Sequence, residues 1–143
     1  MKSFSATTTI AASPDKIWKI LTDAANFPNW EPNVIRIEGN IALGEKITVY
    51  TKLSPNRAFP VTVSEFVVGK KMVWSSAMPL GLFKGERTFT LTPVGKGKGT
   101  VEVVTREEFS GLLLPLIGRT IPDLTETFKN FAAGLKKQAE TTK

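Results

Sequence analysis

Residues 13–32 read SPDKIWKILTDAANFPNWEP. The first half carries the local signals of a helix start. Ser13 supplies a hydroxyl for the N-cap, Pro14 suits the first helical position, and Asp15 lies near the positive end of the helix dipole. Ile17, Ile20, Leu21 and Ala24 follow at helical spacing, with Trp18 beside them. Pro28 forbids a continuous helix, so only a short second helical piece fits near Ala24–Phe27. The second half, NFPNWEP, puts Phe27 and Trp30 into what otherwise reads as loop. Two large apolar side chains there need an apolar surface to cover, and the flanking sequence must supply it.

Upstream, FSATTTIAA (4–12) is small and β-branched and reads as a first strand. Downstream, from Asn33 to Ser110, the period is two. Six further strands are predicted: VIRIEG, KITVYTKL, FPVTVSEFVV, KMVWSSAM, GERTFTLTP and TVEVVTREEF. Turn signals separate them regularly, which indicates an antiparallel meander. After Gly111 comes the apolar connector LLLPLIG. Ile117, Ile121, Leu124, Phe128, Phe131 and Leu135 then recur at helical intervals, predicting one apolar stripe on a long C-terminal helix. Gly134 weakens that helix by about 1 kcal/mol relative to alanine.

The order is strand, two short helices, six strands, long helix. It predicts one α+β domain over residues 1–143, with a seven-stranded antiparallel sheet. A helix is about 10 Å wide with its side chains, and seven strands at about 4.8 Å each are far wider. Either the sheet curls around the helix or a cavity remains between them. Phe27 and Trp30 then plug the open end of the curved sheet, while Pro28 and Pro32 fix the chain direction.

The chain lacks cysteine and histidine. That removes disulfides, thiolate chemistry, the usual general base and the commonest transition-metal ligand. Only carboxylates remain as metal ligands, and no calcium-loop spacing occurs, so neither metal nor cofactor is expected. No apolar stretch approaches the ~18 residues of a membrane span, and the first residues lack an apolar signal core. A cytoplasmic chain without stable membrane insertion is the expectation. The net charge is +6, but the lysines are scattered, with the tightest sets at Lys70-Lys71, Lys96/Lys98 and Lys136-Lys137. No stacking aromatics interleave with them, so a solvated surface is expected and not a nucleic-acid partner.

The pattern Ala11, Pro14, Ile17, Trp18, Leu21, Asp23, Phe27, Pro28, Trp30, Pro32 resembles the START-like superfamily, the polyketide cyclase/dehydrase and lipid-transport group. GERTFTLTP and EEFSG match the same group loosely, and the resemblance spans essentially the whole chain. It implies the helix-grip fold, a curved sheet with the long C-terminal helix over its concave face. It also implies a hydrophobic cavity and a lipid-like or aromatic small molecule as partner. It does not imply one reaction, because fold-mates include carriers and enzymes. Many relatives carry histidine where this chain has Arg87.

Strand parity selects the cavity wall. A hairpin centred on Gly97 places Leu91 opposite Val103, Phe89 opposite Thr105 and Arg87 opposite Glu107. Two roles fit that ion pair: a polar anchor for a ligand oxygen, or a strand-end pair reaching solvent. A two-residue turn at Gly69-Lys70 would place Val67 opposite Met72, Glu65 opposite Trp74, Val63 opposite Ser76 and Val61 opposite Met78. Trp74 and Met78 then form wall, and Ser76 offers one hydrogen bond. Glu65 is awkward on that face, so a bulge displaces it or it lies at the open end of the sheet. Ile37, Ile47 and Val49 point inward from earlier strands, and Tyr50 outward. Ile121, Leu124 and Phe128 roof the cavity, Phe131 and Leu135 pack as core, and Trp30 touches ligand as well as core.

The leading functional expectation is binding of a small hydrophobic molecule, oriented by Arg87. The alternatives are an aromatase/cyclase or dehydratase with Glu107 as base, and a protein-interaction module without ligand.

Overall fold

The computed structural model describes residues 2–94, 99–117 and 123–141. Strand β1 (Lys2–Ile10) leads into helix α1 (Pro14–Leu21) and a 3-10 turn, Phe27–Asn29. Strands β2 (Val34–Glu38), β3 (Lys46–Thr51), β4 (Ala58–Val67), β5 (Lys71–Ala77), β6 (Lys84–Pro93) and β7 (Val101–Ser110) follow. Helices α2 (Leu114–Ile117) and α3 (Thr125–Thr141) complete the described chain. The strands form one antiparallel sheet of seven in the order β1-β7-β6-β5-β4-β3-β2. The element order agrees with the sequence reading, and the architecture is the helix-grip α+β fold that the resemblance implies.

The N-terminal signals act as read. The Ser13 hydroxyl accepts from Lys16 N–H at 3.2 Å, and Pro14 opens α1. Ile17, Trp18, Ile20 and Leu21 are buried, and Trp18 meets Phe66 of β4 edge-on at 5.2 Å. The apolar stretch of the loop also has its surface. Phe27 lies 4.5 Å from Trp30 and 5.9 Å from Trp74, while Trp30 lies 5.3 Å from Phe131 of α3. The loop is therefore clamped between sheet and helix.

The β6–β7 register agrees with the parity argument, with Arg87 opposite Glu107 and Phe89 opposite Thr105. The β4–β5 register does not. Val67 pairs with Lys71, Phe66 with Met72 and Glu65 with Val73, and a shift between Val63 and Glu65 then sets Val63 opposite Trp74. The turn is one residue longer than a two-residue hairpin, with Lys70 N–H donating to Val67 O at 2.9 Å and Gly69 at φ 75°. The bulge restores parity, so Val63 and Trp74 both face the core. Glu65 is thrown outward, where Lys71 lies at 3.4 Å.

Helix α3 begins at Thr125, not within the apolar connector. The Asp123 carboxylate accepts from Thr125 N–H at 3.0 Å. Phe128, Phe131, Ala132, Leu135 and Ala139 form the buried stripe of α3, which packs mainly on β1 with α1 and β7 beside it. Gly134 has a packing role. A Cβ built there would collide with the Trp30 carbonyl oxygen. Glycine thus lets the helix backbone approach the loop closely.

Candidate functional site

The polar centre of the molecule lies beneath the first turns of α3. Glu31, Arg87, Thr105, Thr127, Phe128 and Phe131 line one small crevice. The sheet, the loop after the 3-10 turn and α3 all contribute. Arg87 and Thr105 stand on the concave faces of β6 and β7, Glu31 follows the 3-10 turn, and the last three belong to α3. The space has no room even for a water-sized sphere. Aromatic side chains occupy the interior between sheet and helix. Trp74 and Phe89 lie 4.9 Å apart, Phe89 and Phe131 5.7 Å, and Phe4 and Phe128 6.3 Å.

Arg87 is held on two sides. Its Nε donates to Glu107 Oε1 at 3.0 Å, and its Nη2 lies 2.8 Å from the same oxygen. The guanidinium carbon sits 4.6 Å from the centroid of the Phe128 ring, a cation–π arrangement. The side chains of Arg87 and Glu107 are only 24% and 19% exposed, so this is a mostly enclosed pair.

Glu31 is the residue that sequence reasoning missed. It is 1% exposed, and its Oε1 accepts from Asn33 N–H at 2.9 Å. Burial holds its carboxyl above the ordinary value of 4.5, although the Asn33 hydrogen bond and the charges of Arg87 and Lys52 pull the other way. Three polar groups nearby in the core lack a hydrogen-bond partner: Thr105 Oγ1 and the indole Nε1–H groups of Trp30 and Trp74. Each unmade buried bond costs about 1–3 kcal/mol.

The remaining expected site residues divide by position. Phe89, Trp74, Ile37 and Val63 are buried in the core, Trp30 is buried beside it, and Val49 packs against it half-buried. Leu124 is half-buried just before α3, and its carbonyl accepts from Phe128 N–H at 2.9 Å. Ser76 and Met78 require correction as wall residues. Both are exposed, Met78 at 47%, because β5 ends at Ala77 and the Pro79–Gly81 turn carries the chain off the sheet. Ile121 lies outside the described residues, as does the Gly97 turn. Phe131, expected as plain core, lines the polar space. Tyr50 bonds Glu38 on the outer face at 3.0 Å and carries the Arg36 guanidinium over its ring at 3.7 Å.

A separate opening with about 550 Å³ of accessible volume lies outside, between the NFPNWEP loop and α3, with Asn29, Asn130, Lys137 and Gln138 on its walls. It is a surface groove away from the Arg87–Glu107 pair. Among the described residues no group of carboxylates could hold a metal ion.

Residues 1–140 match the family model described as polyketide cyclase / dehydrase and lipid transport. The chain belongs to this family. Solved structures of the START-like fold agree with the assignment. A START superfamily protein of Mycobacterium smegmatis is 19% identical, with 96% of each chain covered and a TM-score of 0.72. Protein MLL2253 of Mesorhizobium loti is 20% identical, with 99% of each chain covered and a TM-score of 0.74. A norcoclaurine synthase of Thalictrum is 17% identical, covering 96% of this chain and 93% of its own, with a TM-score of 0.70. At such identities the likeness concerns the fold. No curated protein matches the sequence. Within the family fold, then, this chain carries a ligand-binding architecture whose interior is closed and whose polar residues are Glu31, Arg87, Thr105 and Glu107.

Proposed function

We propose that the chain binds a small hydrophobic molecule, lipid-like or aromatic, that presents one acidic or carbonyl oxygen to Arg87. Transport or sequestration of that molecule would be its role. The observation that carries this reading is the enclosed polar group beneath an aromatic roof. Arg87 keeps donors beyond those given to Glu107, and the Thr105 hydroxyl stands unpartnered in the lining of the same space. A bidentate guanidinium is suited to a carboxylate or enolate oxygen. Ligand pockets usually measure about 300–1,000 Å³, so occupancy requires the roof to swing away. Phe128 and Phe131 are the side chains that must move, and the ligand's apolar surface would replace theirs.

The test is native mass spectrometry of the purified protein beside an Arg87→Met, Glu107→Leu variant, each then offered a panel of fatty acids, isoprenoids and aromatic ketones. A hydrophobic mass retained by the wild type and lost from the variant supports the reading. No uptake of any panel member, even by a Phe128→Ala variant with the roof opened, overturns it.

A second reading rests on Glu31. A buried carboxyl with a raised proton affinity, lining the same space as Arg87, is suited to proton transfer at a carbon beside a carbonyl held by the guanidinium. Turnover of a retained ligand that stops in Glu31→Gln while binding persists would favour this enzymatic role over simple carriage.

A further inference from the structure

Among the described residues, Glu31 is the one ionisable residue buried in the interior. Its surroundings do little to compensate a negative charge. The Asn33 N–H donates to Oε1 at 2.9 Å. Arg87 lines the same crevice, but its Nε and Nη2 already meet Glu107 Oε1 at 3.0 and 2.8 Å. Arg87 and Glu107 are therefore neutral as a pair. Lys52, just after β3, is exposed, so water screens its charge. The lining residues from α3 are Thr127, Phe128 and Phe131, which carry no charge. With Glu31 ionised, the polar centre holds one cation and two carboxylates.

That balance decides how an acidic ligand enters. A further carboxylate beside Arg87 meets Glu31 in the same crevice, with water kept out by the ligand's apolar body. Two carboxylates in such a site do not both stay ionised; they hold a proton between them. The donor count points to the same form. A spare Arg87 N–H, the unpartnered Thr105 hydroxyl and a protonated Glu31 make three donors. A ketone oxygen accepts about two hydrogen bonds, whereas a carboxylate accepts about four. We infer that the site takes its ligand as a carboxylate together with one proton from solvent, held between the ligand and Glu31. This rests on Arg87 as the ligand's anchor, and adds to it a head group and a dependence on pH. Burial already holds the Glu31 carboxyl above its ordinary value, against the pull of Asn33, Arg87 and Lys52, and so eases the uptake. Binding then weakens as pH rises, because the proton is drawn from an ever lower concentration.

The experiment is calorimetric titration of the full chain with dodecanoate and naphthoate, and with dodecanol and acetonaphthone as neutral counterparts. Each is measured from about pH 6.5 to about pH 9 in paired buffers of different ionisation heat, which reveals the protons taken up per ligand. Both acids are ionised in solution over this range, so an extra proton in the complex belongs to the site. The wild type should bind the acids with uptake approaching one proton. Its affinity for them should fall by about tenfold per pH unit above the value at which Glu31 ionises in the free protein. The neutral counterparts should show neither effect, since Glu31 is already out of water. Glu31→Gln should bind the acids without uptake or pH trend, its amide N–H donating where the carboxyl O–H did. Acid binding by the wild type without uptake at any pH overturns the inference, as does uptake that persists in Glu31→Gln or binding of the neutral counterparts alone. Each of these leaves Arg87 as an anchor. Should the variant misfold, the wild-type difference between acids and neutral counterparts decides by itself. Failure of every probe to bind, even to Phe128→Ala, removes the anchor and the inference together.

Discussion

Glu107→Ala separates an enclosed anchor from a solvated strand-end pair. Removing one partner of a buried ion pair costs about 3–5 kcal/mol, because the other charge is left without compensation. Here the side chains are 24% and 19% exposed, so solvent screens part of the loss. Glu31 lines the same space as Arg87 and takes up part of the orphaned charge. The expected cost is therefore about 2–3 kcal/mol. An unfolding entropy of about 2.1 cal/mol/K per residue gives about 0.3 kcal/mol/K for 143 residues, so the melting midpoint falls by about 7–10 °C. Arg87→Met/Glu107→Leu removes both charges and fills similar volume, so it should lie within about 1 kcal/mol of wild type. Calorimetry and urea unfolding measure both. A loss below about 1 kcal/mol in Glu107→Ala would refute the enclosed-pair reasoning, since an exposed pair costs no more than that. A double variant as unstable as the single one would refute it differently, by showing that packing and not charge is at stake.

Three further outcomes are expected. Gly134→Ala should destabilise by about 2 kcal/mol in urea unfolding, because a methyl cannot coexist with the Trp30 carbonyl and the gain in helix propensity is only about 1 kcal/mol. Glu31→Gln should stabilise the protein near neutrality. The folded-state proton affinity of Glu31 is raised, so the wild type loses stability as pH climbs from 4.5 through the folded value. The variant's advantage should accordingly shrink as pH falls, and a pH-independent difference would count against the assignment. Phe128→Ala should cost about 3–5 kcal/mol and increase uptake of an apolar fluorescent dye, read by titration, since it removes both a core ring and the cover over Arg87.

Much of the architecture was legible because periodicity reports which face of an element is buried. The β6–β7 pair alternates cleanly, so counting from Gly97 was enough to set Arg87 opposite Glu107. The β4–β5 pair failed by the same arithmetic. One extra turn residue and one bulge cancel in parity but not in register, and alternation alone cannot reveal them. Trp74 is buried all the same, whereas Ser76 and Met78 are exposed because the strand ends at Ala77, an end that alternation does not reveal either. Glu31 was invisible for another reason. It lies in irregular backbone, where no period exists to assign a face. A carboxylate between Trp30 and Pro32, in a loop already known to bury its aromatics, was the available signal.

Stability alone does not account for the centre of this molecule. An apolar trio in place of Arg87, Glu107 and Glu31 would fill the same volume without desolvating charge. Burial opposes ionisation of Glu31, and the Thr105 hydroxyl and two indole N–H groups stay unpartnered in an interior otherwise packed with aromatic rings. Each of these features lowers stability, and they concentrate between the sheet and the helix that the family fold uses to enclose ligands. The aromatic roof keeps much of the water away, which adds to that cost but also strengthens the interactions Arg87 could make with an incoming oxygen. A closed interior with unsatisfied polarity differs from a merely well-packed core in this respect. The packed core has nothing to gain by opening, whereas here an oxygen-bearing apolar molecule could recover both the buried area of the displaced rings and the unmade hydrogen bonds.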